Sequence, residues 1–281
     1  MIWKFRRREI DLTKRGVILG IVNATPDSFS DGGRFQDLEA ACGHGLKLLN
    51  DGASVLDIGG ESTKPGSMPI SVDEELGRVI PLIRALRART DMPLSVDTSK
   101  SVVAEAALEA GADIINDVTA LGGDPRMGEL AARSGAGLIL MHMQGIPETM
   151  QQAPHYHNDD VVGEVAKNLS ERRAAAIGFG VDATAIILDP GIGFGKTQAH
   201  NLSLIHGIPT LSSLGAPLMI GHSRKSFLGG QAVCRSDQDD RLPAALAVTA
   251  LARQLGARLF RVHDPRPHVE ALRMTESILN A

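Results

Sequence analysis

Short apolar runs recur along the chain, each followed by a polar or Gly-rich stretch and then by an Ala- and Leu-rich segment with amphipathic spacing. The runs predict strands at 17–22, 54–58, 94–96, 113–115, 137–141, 185–188, 218–220 and 258–262. The segments between and after them predict helices at 38–51, 72–89, 101–110, 127–134, 158–177, 202–211, 242–255 and 267–279. Nearly continuous apolar strands alternating with helices imply a parallel sheet buried on both faces. Eight such units match a (β/α)8 barrel of the TIM type better than an open doubly wound sheet. The dipeptide Gly-Ala recurs at 52–53, 111–112, 135–136 and 256–257, after a helix and before a strand, as one turn reused. Gly178 is read as a further helix stop.

No linker or low-complexity stretch divides the chain, so one barrel domain is expected over 17–281, preceded by an extension over 1–16. That extension reads as a short antiparallel or edge element covering one end of the fold. The chain of 281 residues has 43% hydrophobic and 22% charged residues, ordinary globular values. A net charge of −4 with scattered Lys and Arg, and only 3% aromatics, disfavour nucleic acid and anionic membrane as partners. Cys42 and Cys234 have no ligand spacing and read as lone thiols of a reducing cytoplasm. The basic N-terminus lacks an apolar signal region, and no apolar run reaches the roughly 18–20 residues of a membrane span.

In a parallel barrel the chemistry sits at the C-terminal ends of the strands. Those ends carry Asn23, Asp57, Glu61-Ser62-Thr63, Asp97, Asn116-Asp117, His142, Asp189, Ser223-Arg224-Lys225, Arg261 and His263. One polar residue after a strand is ordinary; a full set at one face points to a shared site. Residues 191–197, GIGFGKT, lack the spacing of a phosphate-binding P-loop, and nucleotide binding is rejected there. His155-Tyr156-His157 has no partners at metal-ligand spacing and reads as a solvated loop.

The strand-end words NATPDSFSDGG, DIGGESTKPGS, SVDTSK, INDV, MHMQGIPETMQ, ILDPGIGFGK, GHSRKSFLG and RVHD occur in this order. Together they closely resemble the dihydropteroate synthase family, over almost the whole chain from residue 17. The resemblance implies a TIM barrel that condenses 6-hydroxymethyl-7,8-dihydropterin diphosphate with p-aminobenzoate, uses Mg2+ and releases diphosphate. It also implies a cytoplasmic homodimer assembled through its last helices, and competition by sulfonamides for the p-aminobenzoate site.

Carried onto this chain, the pterin contacts fall on Asp97, Asn116, Asp189, Lys225, Phe194 and Met143. A buried carboxylate such as Asp189 accepts two parallel N–H groups of the pterin edge, and Asn116 both donates and accepts. Asp97 is also expected to stabilise positive charge on the departing methylene; its bland alternative is a cap for the helix at 101. Diphosphate falls to Asn23, Thr63, Arg261 and His263, with Asn23 also the Mg2+ ligand through its amide oxygen. Asp97, Lys225, Arg261 and His263 form the expected catalytic set. The p-aminobenzoate contacts fall to Asp31, Thr63, Lys64, Pro65 and Ser226, Ser226 being placed at a helix start with free amides. Lys64 stands where the family usually has Arg and so lacks the bidentate fork. A corrinoid-linked methyltransferase on a related barrel is the nearest rival. It would need the pterin contacts but not the diphosphate set.

Overall fold

The computed structural model describes residues 1–24, 33–229 and 241–281. Strands β1 (Ile2–Phe5) and β2 (Arg8–Asp11) form an antiparallel hairpin. The barrel strands follow: β3 (Val17–Asn23), β4 (Val55–Gly59), β5 (Leu94–Asp97), β6 (Ile114–Asp117), β7 (Gly137–Met141), β8 (Ile186–Asp189), β9 (Met219–Ile220) and β10 (Leu259–Val262). All eight run parallel in the order β8-β7-β6-β5-β4-β3-β10-β9. A parallel bridge from Leu188 to Leu218 brings the two ends of the sheet together, so the expected barrel is observed, nearly closed.

The surrounding helices are α1 (Gly33–Asn50), α2 (Val72–Arg87), α3 (Ser101–Ala110), α4 (Met127–Ser134), α5 (Val161–Gly178), α6 (Gln198–His206), α7 (Ile208–Ser212), α8 (Leu242–Leu255) and α9 (Pro265–Leu279). The helix expected at 202–211 is two helices, because Gly207 closes the first and Pro209 lies in the opening turn of the second. Gly52, Gly111, Gly135 and Gly256 all adopt left-handed φ, and each is followed by a buried Ala, as the repeated turn requires. Gly178 is different: it ends α5 within the helix, Phe179 caps it, and Gly180 supplies the positive φ.

Side chains alternate along each strand. Leu56, Ile58, Val96, Ile115, Leu138, Leu140, Ile186 and Leu188 join the large core shared with the helices. Val17, Leu19, Val55, Ile114, Ile139, Ile187, Met219 and Leu259 cluster separately, with Trp3, Phe5 and Leu12 of the N-terminal segment. This second cluster fills the barrel interior and its N-terminal end. The Trp3 indole donates to the Ala185 carbonyl at 2.9 Å, and the Trp3 and Phe5 rings lie 4.7 Å apart. The hairpin is therefore a plug at the end opposite the strand C-termini. Among the described residues no helix is long and apolar enough to cross a membrane.

Candidate active site

Two residues beyond the apolar interior layer, the same period-two alternation delivers polar side chains to the interior. Asp57 follows Val55 on β4, Asn116 follows Ile114 on β6, Asp189 follows Ile187 on β8, and Arg261 follows Leu259 on β10. Asp97 ends β5 at the same level, in register with Asn116 and Gly59.

Arg261 is the hub. Its Nε donates to Asp57 Oδ2 and its Nη2 to Asp97 Oδ2, both at 2.6 Å. Asn116 Nδ2 donates to the same Asp57 oxygen at 3.0 Å. Asp57 accepts only, so this bond fixes which end of the Asn116 amide turns toward Asp57 and leaves its oxygen for other partners. The remaining Asp57 oxygen, Oδ1, is buried and has no partner among the described residues. Burial raises the Asp97 carboxyl to about 7, with Arg261 opposing and the neighbouring Asp57 adding to the rise. Burial would lower Arg261, but Asp57 and Asp97 hold it above its ordinary value.

Asp189 accepts the Gly191 amide at 2.8 Å. Burial pushes its carboxyl up against the opposing charge of Lys225. Burial likewise lowers Lys225 to about 7, against the pull of Asp189. Lys225 donates to the Ile192 carbonyl, and its Nζ stands 4.2 Å from the centre of the Phe194 ring. A Cβ on Gly221 would lie 3.7 Å from Asp189 Oδ2 and 4.0 Å from Lys225 Nζ, so both charges surround one point at the mouth. The expected pterin residues Asp97, Asn116, Asp189, Lys225 and Phe194 thus line one pocket. Met143 follows β7 at the rim, half-buried.

At the mouth, His263 Nδ1 is 3.1 Å from Ser223 Oγ. Burial first, then the cations Arg224, Arg261, Lys64 and Lys225, push its imidazole down to about 3. His263 is thereby held toward its neutral form, which still offers one N–H. The Arg261 fork, expected on diphosphate, is paired with Asp57 and Asp97. Asn23 ends β3 half-buried, paired in register with Gly59. Thr63 is half-buried and Lys64 and Pro65 are exposed in the segment after β4. Asp31 lies outside the described residues. Ser226 is exposed and opens a single 3₁₀ turn, Ser226–Leu228, rather than the expected helix, so the proposed helix-terminus anion site has no structural basis. Asp97 does not cap α3; the Ser101 amide bonds to Asp124 instead, at 3.0 Å.

Three residues given no site role in the sequence reading shape the site. Asp57 was visible as a strand end, but only the barrel puts it under Arg261. Lys196 is buried, with Nζ 3.0 Å from His142 Nδ1 and 2.9 Å from the Phe194 carbonyl, and burial lowers it to about 7. His142 is held down to about 3 by burial and by Lys196. A lysine in a Gly-rich loop carries no sequence signal for burial. That loop packs against the backbone after β7: a Cβ on Gly191 would come within 1.9 Å of the His142 carbonyl, and one on Gly195 within 2.3 Å of the Gln144 carbonyl. The glycines at 191, 193 and 195 take positive φ there; those at 191 and 195 serve close backbone approach, and the one at 193 makes room for the Lys225 side chain. In the 155–157 segment, His155 and His157 are exposed as expected, but Tyr156 is buried, its hydroxyl donating to the Gly195 carbonyl at 3.1 Å.

The sequence profile described as "Pterin binding enzyme" matches residues 19–263. The dihydropteroate synthase of Escherichia coli strain K12 is 44% identical over 264 residues, spanning 94% of this chain and 92% of that protein. That of Synechocystis is 41% identical over 268 residues, spanning 95% and 92%. Among solved structures, Xanthomonas albilineans dihydropteroate synthase with 4-aminobenzoic acid is 45% identical, with a TM-score of 0.91 over 100% of this chain and 98% of that one. The Yersinia pestis dihydropteroate synthase in a sulfonamide drug complex is 40% identical, with a TM-score of 0.91 over 100% of both chains. A match over most of the chain, with 40–45% identity to such relatives on the same barrel, places this chain in the pterin binding enzyme family, among the dihydropteroate synthases.

Proposed function

We propose that this chain condenses 6-hydroxymethyl-7,8-dihydropterin diphosphate with p-aminobenzoate to give 7,8-dihydropteroate and diphosphate. The observation that supports this best is the pocket of Asp97, Asn116 and Asp189 with Lys225 facing it, at the C-terminal end of the barrel. A Xanthomonas albilineans relative has been solved in complex with 7,8-dihydropteroate, at 42% identity.

In this reading Asp189 accepts the paired N–H groups of the pterin, and the Asn116 oxygen, freed by the Asp57 bond, accepts from a further ring edge. Lys225 donates to the carbonyl side. As the C–O bond to diphosphate breaks, positive charge develops on the methylene, and ionised Asp97 lies where it stabilises that charge. The amine of p-aminobenzoate then forms the new C–N bond and loses a proton. Asn23, Thr63, His263 and Arg261 receive the diphosphate; Arg261 serves both halves, since its guanidinium is also paired with Asp57 and Asp97. Thr63, Lys64, Pro65, Ser226 and Asp31 are proposed around p-aminobenzoate, with Ser226 acting through its hydroxyl.

The described residues contain no group of three or more His, Cys, Asp or Glu placed to hold a metal. A lone amide oxygen at Asn23 suits Mg2+, which usually keeps waters and takes its other ligands from substrate phosphates. When bound, Mg2+ would neutralise charge on the leaving diphosphate. Exposed Leu251 on α8 and Met274, Ile278 and Leu279 on α9 suit a face buried between two copies, in line with the expected homodimer. A cytoplasmic location is in keeping with the buried free thiol of Cys42.

The test is turnover with dihydropterin diphosphate, p-aminobenzoate and Mg2+, following dihydropteroate and diphosphate. Equimolar products support the reading. Folded protein that makes neither product overturns it.

A further inference from the structure

The segment between β4 and α2 carries Thr63, Lys64 and Pro65 at the mouth, and side chains outside the pocket hold its shape. Lys100, three residues beyond Asp97, places its ammonium between two carboxylates. It donates to Glu61 of that segment and, at 2.5 Å, to Glu75 in the first turn of α2. The Glu61 oxygen that faces Lys100 also accepts the Ile70 amide at 3.2 Å, so one carboxylate gathers both ends of the segment. Arg78 of α2 donates to the Gly60 carbonyl at 2.7 Å, and the Gly66 amide reaches the Pro147 carbonyl at 2.9 Å.

The two carboxylates differ in their freedom. The Glu75 side chain is 1% exposed and its second oxygen has no partner among the described residues, whereas Glu61 lies at the surface of the cluster at 19%. A buried carboxylate that loses its cation is strongly penalised. Burial works against the Lys100 ammonium, but the two carboxylates keep its pKa above the ordinary lysine value, so it is charged near neutral pH. Without that charge Glu61 and Glu75 repel each other. Glu75 is anchored in α2, so Glu61 and the segment attached to it must move.

We infer that Lys100, acting through Glu61, is a positioning residue for the second substrate: it fixes the 60–70 segment and thereby sets Thr63, Lys64 and Pro65 over the mouth. The role of that segment toward p-aminobenzoate rests on the function proposed above; the anchoring itself does not.

The experiment compares wild type with Lys100→Met, Lys100→Arg and Glu61→Gln. Lys100→Met should raise KM for p-aminobenzoate by about tenfold, the order expected of a displaced positioning contact, while leaving the calorimetric Kd for the pterin substrate unchanged. Lys100→Arg should restore most of the loss. Glu61→Gln leaves the Lys100–Glu75 pair in place, so it should reproduce the KM effect with an unchanged Tm even if Lys100→Met folds poorly. Hydrogen exchange of amides 61–70 should quicken in Glu61→Gln, a readout that needs no turnover. An unchanged KM in folded Glu61→Gln, a parallel weakening of both substrates, or unaltered exchange would each overturn the inference. Wild type that makes no dihydropteroate counts against the proposed function alone, because the exchange measurement still decides the anchoring.

Discussion

Arg261 and Asp57 meet inside the barrel at 2.6 Å, on strands separated by β3. The same guanidinium reaches Asp97 on β5 at 2.6 Å. One cation thus bonds two buried carboxylates before any substrate is considered, and the proposed pterin and diphosphate halves of the site share a residue.

Arg261→Ala should therefore damage more than diphosphate handling. It leaves Asp57 and Asp97 without their cation, and removing one partner from a buried pair costs about 3–5 kcal/mol. Urea denaturation should show a loss of this order. Calorimetry should show weaker pterin binding as well. Selective loss of diphosphate affinity at full stability would contradict the shared role.

The Asp97 carboxyl, raised to about 7, sets a pH dependence. Its folded value lies above the unfolded one, so the folded protein holds the proton between about pH 4 and 7, and this group's contribution to stability falls as pH rises through that range. The proposed mechanism uses the ionised form. The kcat/KM for the pterin substrate should fall by up to about tenfold per pH unit below pH 7. Asp97→Asn should be slower throughout and lack that acid limb.

Buried histidines behind the site act in the opposite sense. His222 bonds to the Ala245 carbonyl at 3.0 Å and to Thr249 Oγ1 at 2.9 Å, and His268 meets the same hydroxyl at 2.8 Å. Burial lowers His222 to about 3 and His268 to about 4. Folded values below the unfolded value of about 6.5 mean that stability is full above pH 6.5 and is lost as pH falls toward 4. Between pH 7 and pH 5, His268 alone should account for about 2 kcal/mol. The Tm difference between those two pH values should shrink in His268→Leu.

The plug at the opposite end should matter for stability and not for chemistry. Trp3→Ala opens a cavity among Phe5, Leu12 and the interior strand residues and leaves the Ala185 carbonyl without its donor. A loss of about 3–5 kcal/mol is expected in denaturant unfolding. KM for either substrate should be unaltered at temperatures where the variant stays folded.

Much of this is legible in the sequence. Asp57, Asp97, Asn116, Asp189 and Arg261 stand at strand ends, and for all but Asp97, which follows Ser95, strand alternation puts them on the side of an interior apolar residue. At Ser226 the expected helix start is a single 3₁₀ turn. Lys196 carries no such signal, because nothing local distinguishes a buried lysine from a solvated one.

The sequence by itself determined the strands, the helices, the repeated Gly-Ala turn and the residue types gathered at one face. These follow from periodicity and backbone preference, which act over a few neighbours. Only the tertiary structure decided which charges share a partner. Arg261 lies 204 positions from Asp57 and 164 from Asp97, and Lys100 lies 39 from Glu61. No local pattern specifies contacts at such separations. They arise when the barrel closes, and burial then raises Asp97 and lowers Lys225, Lys196 and His263.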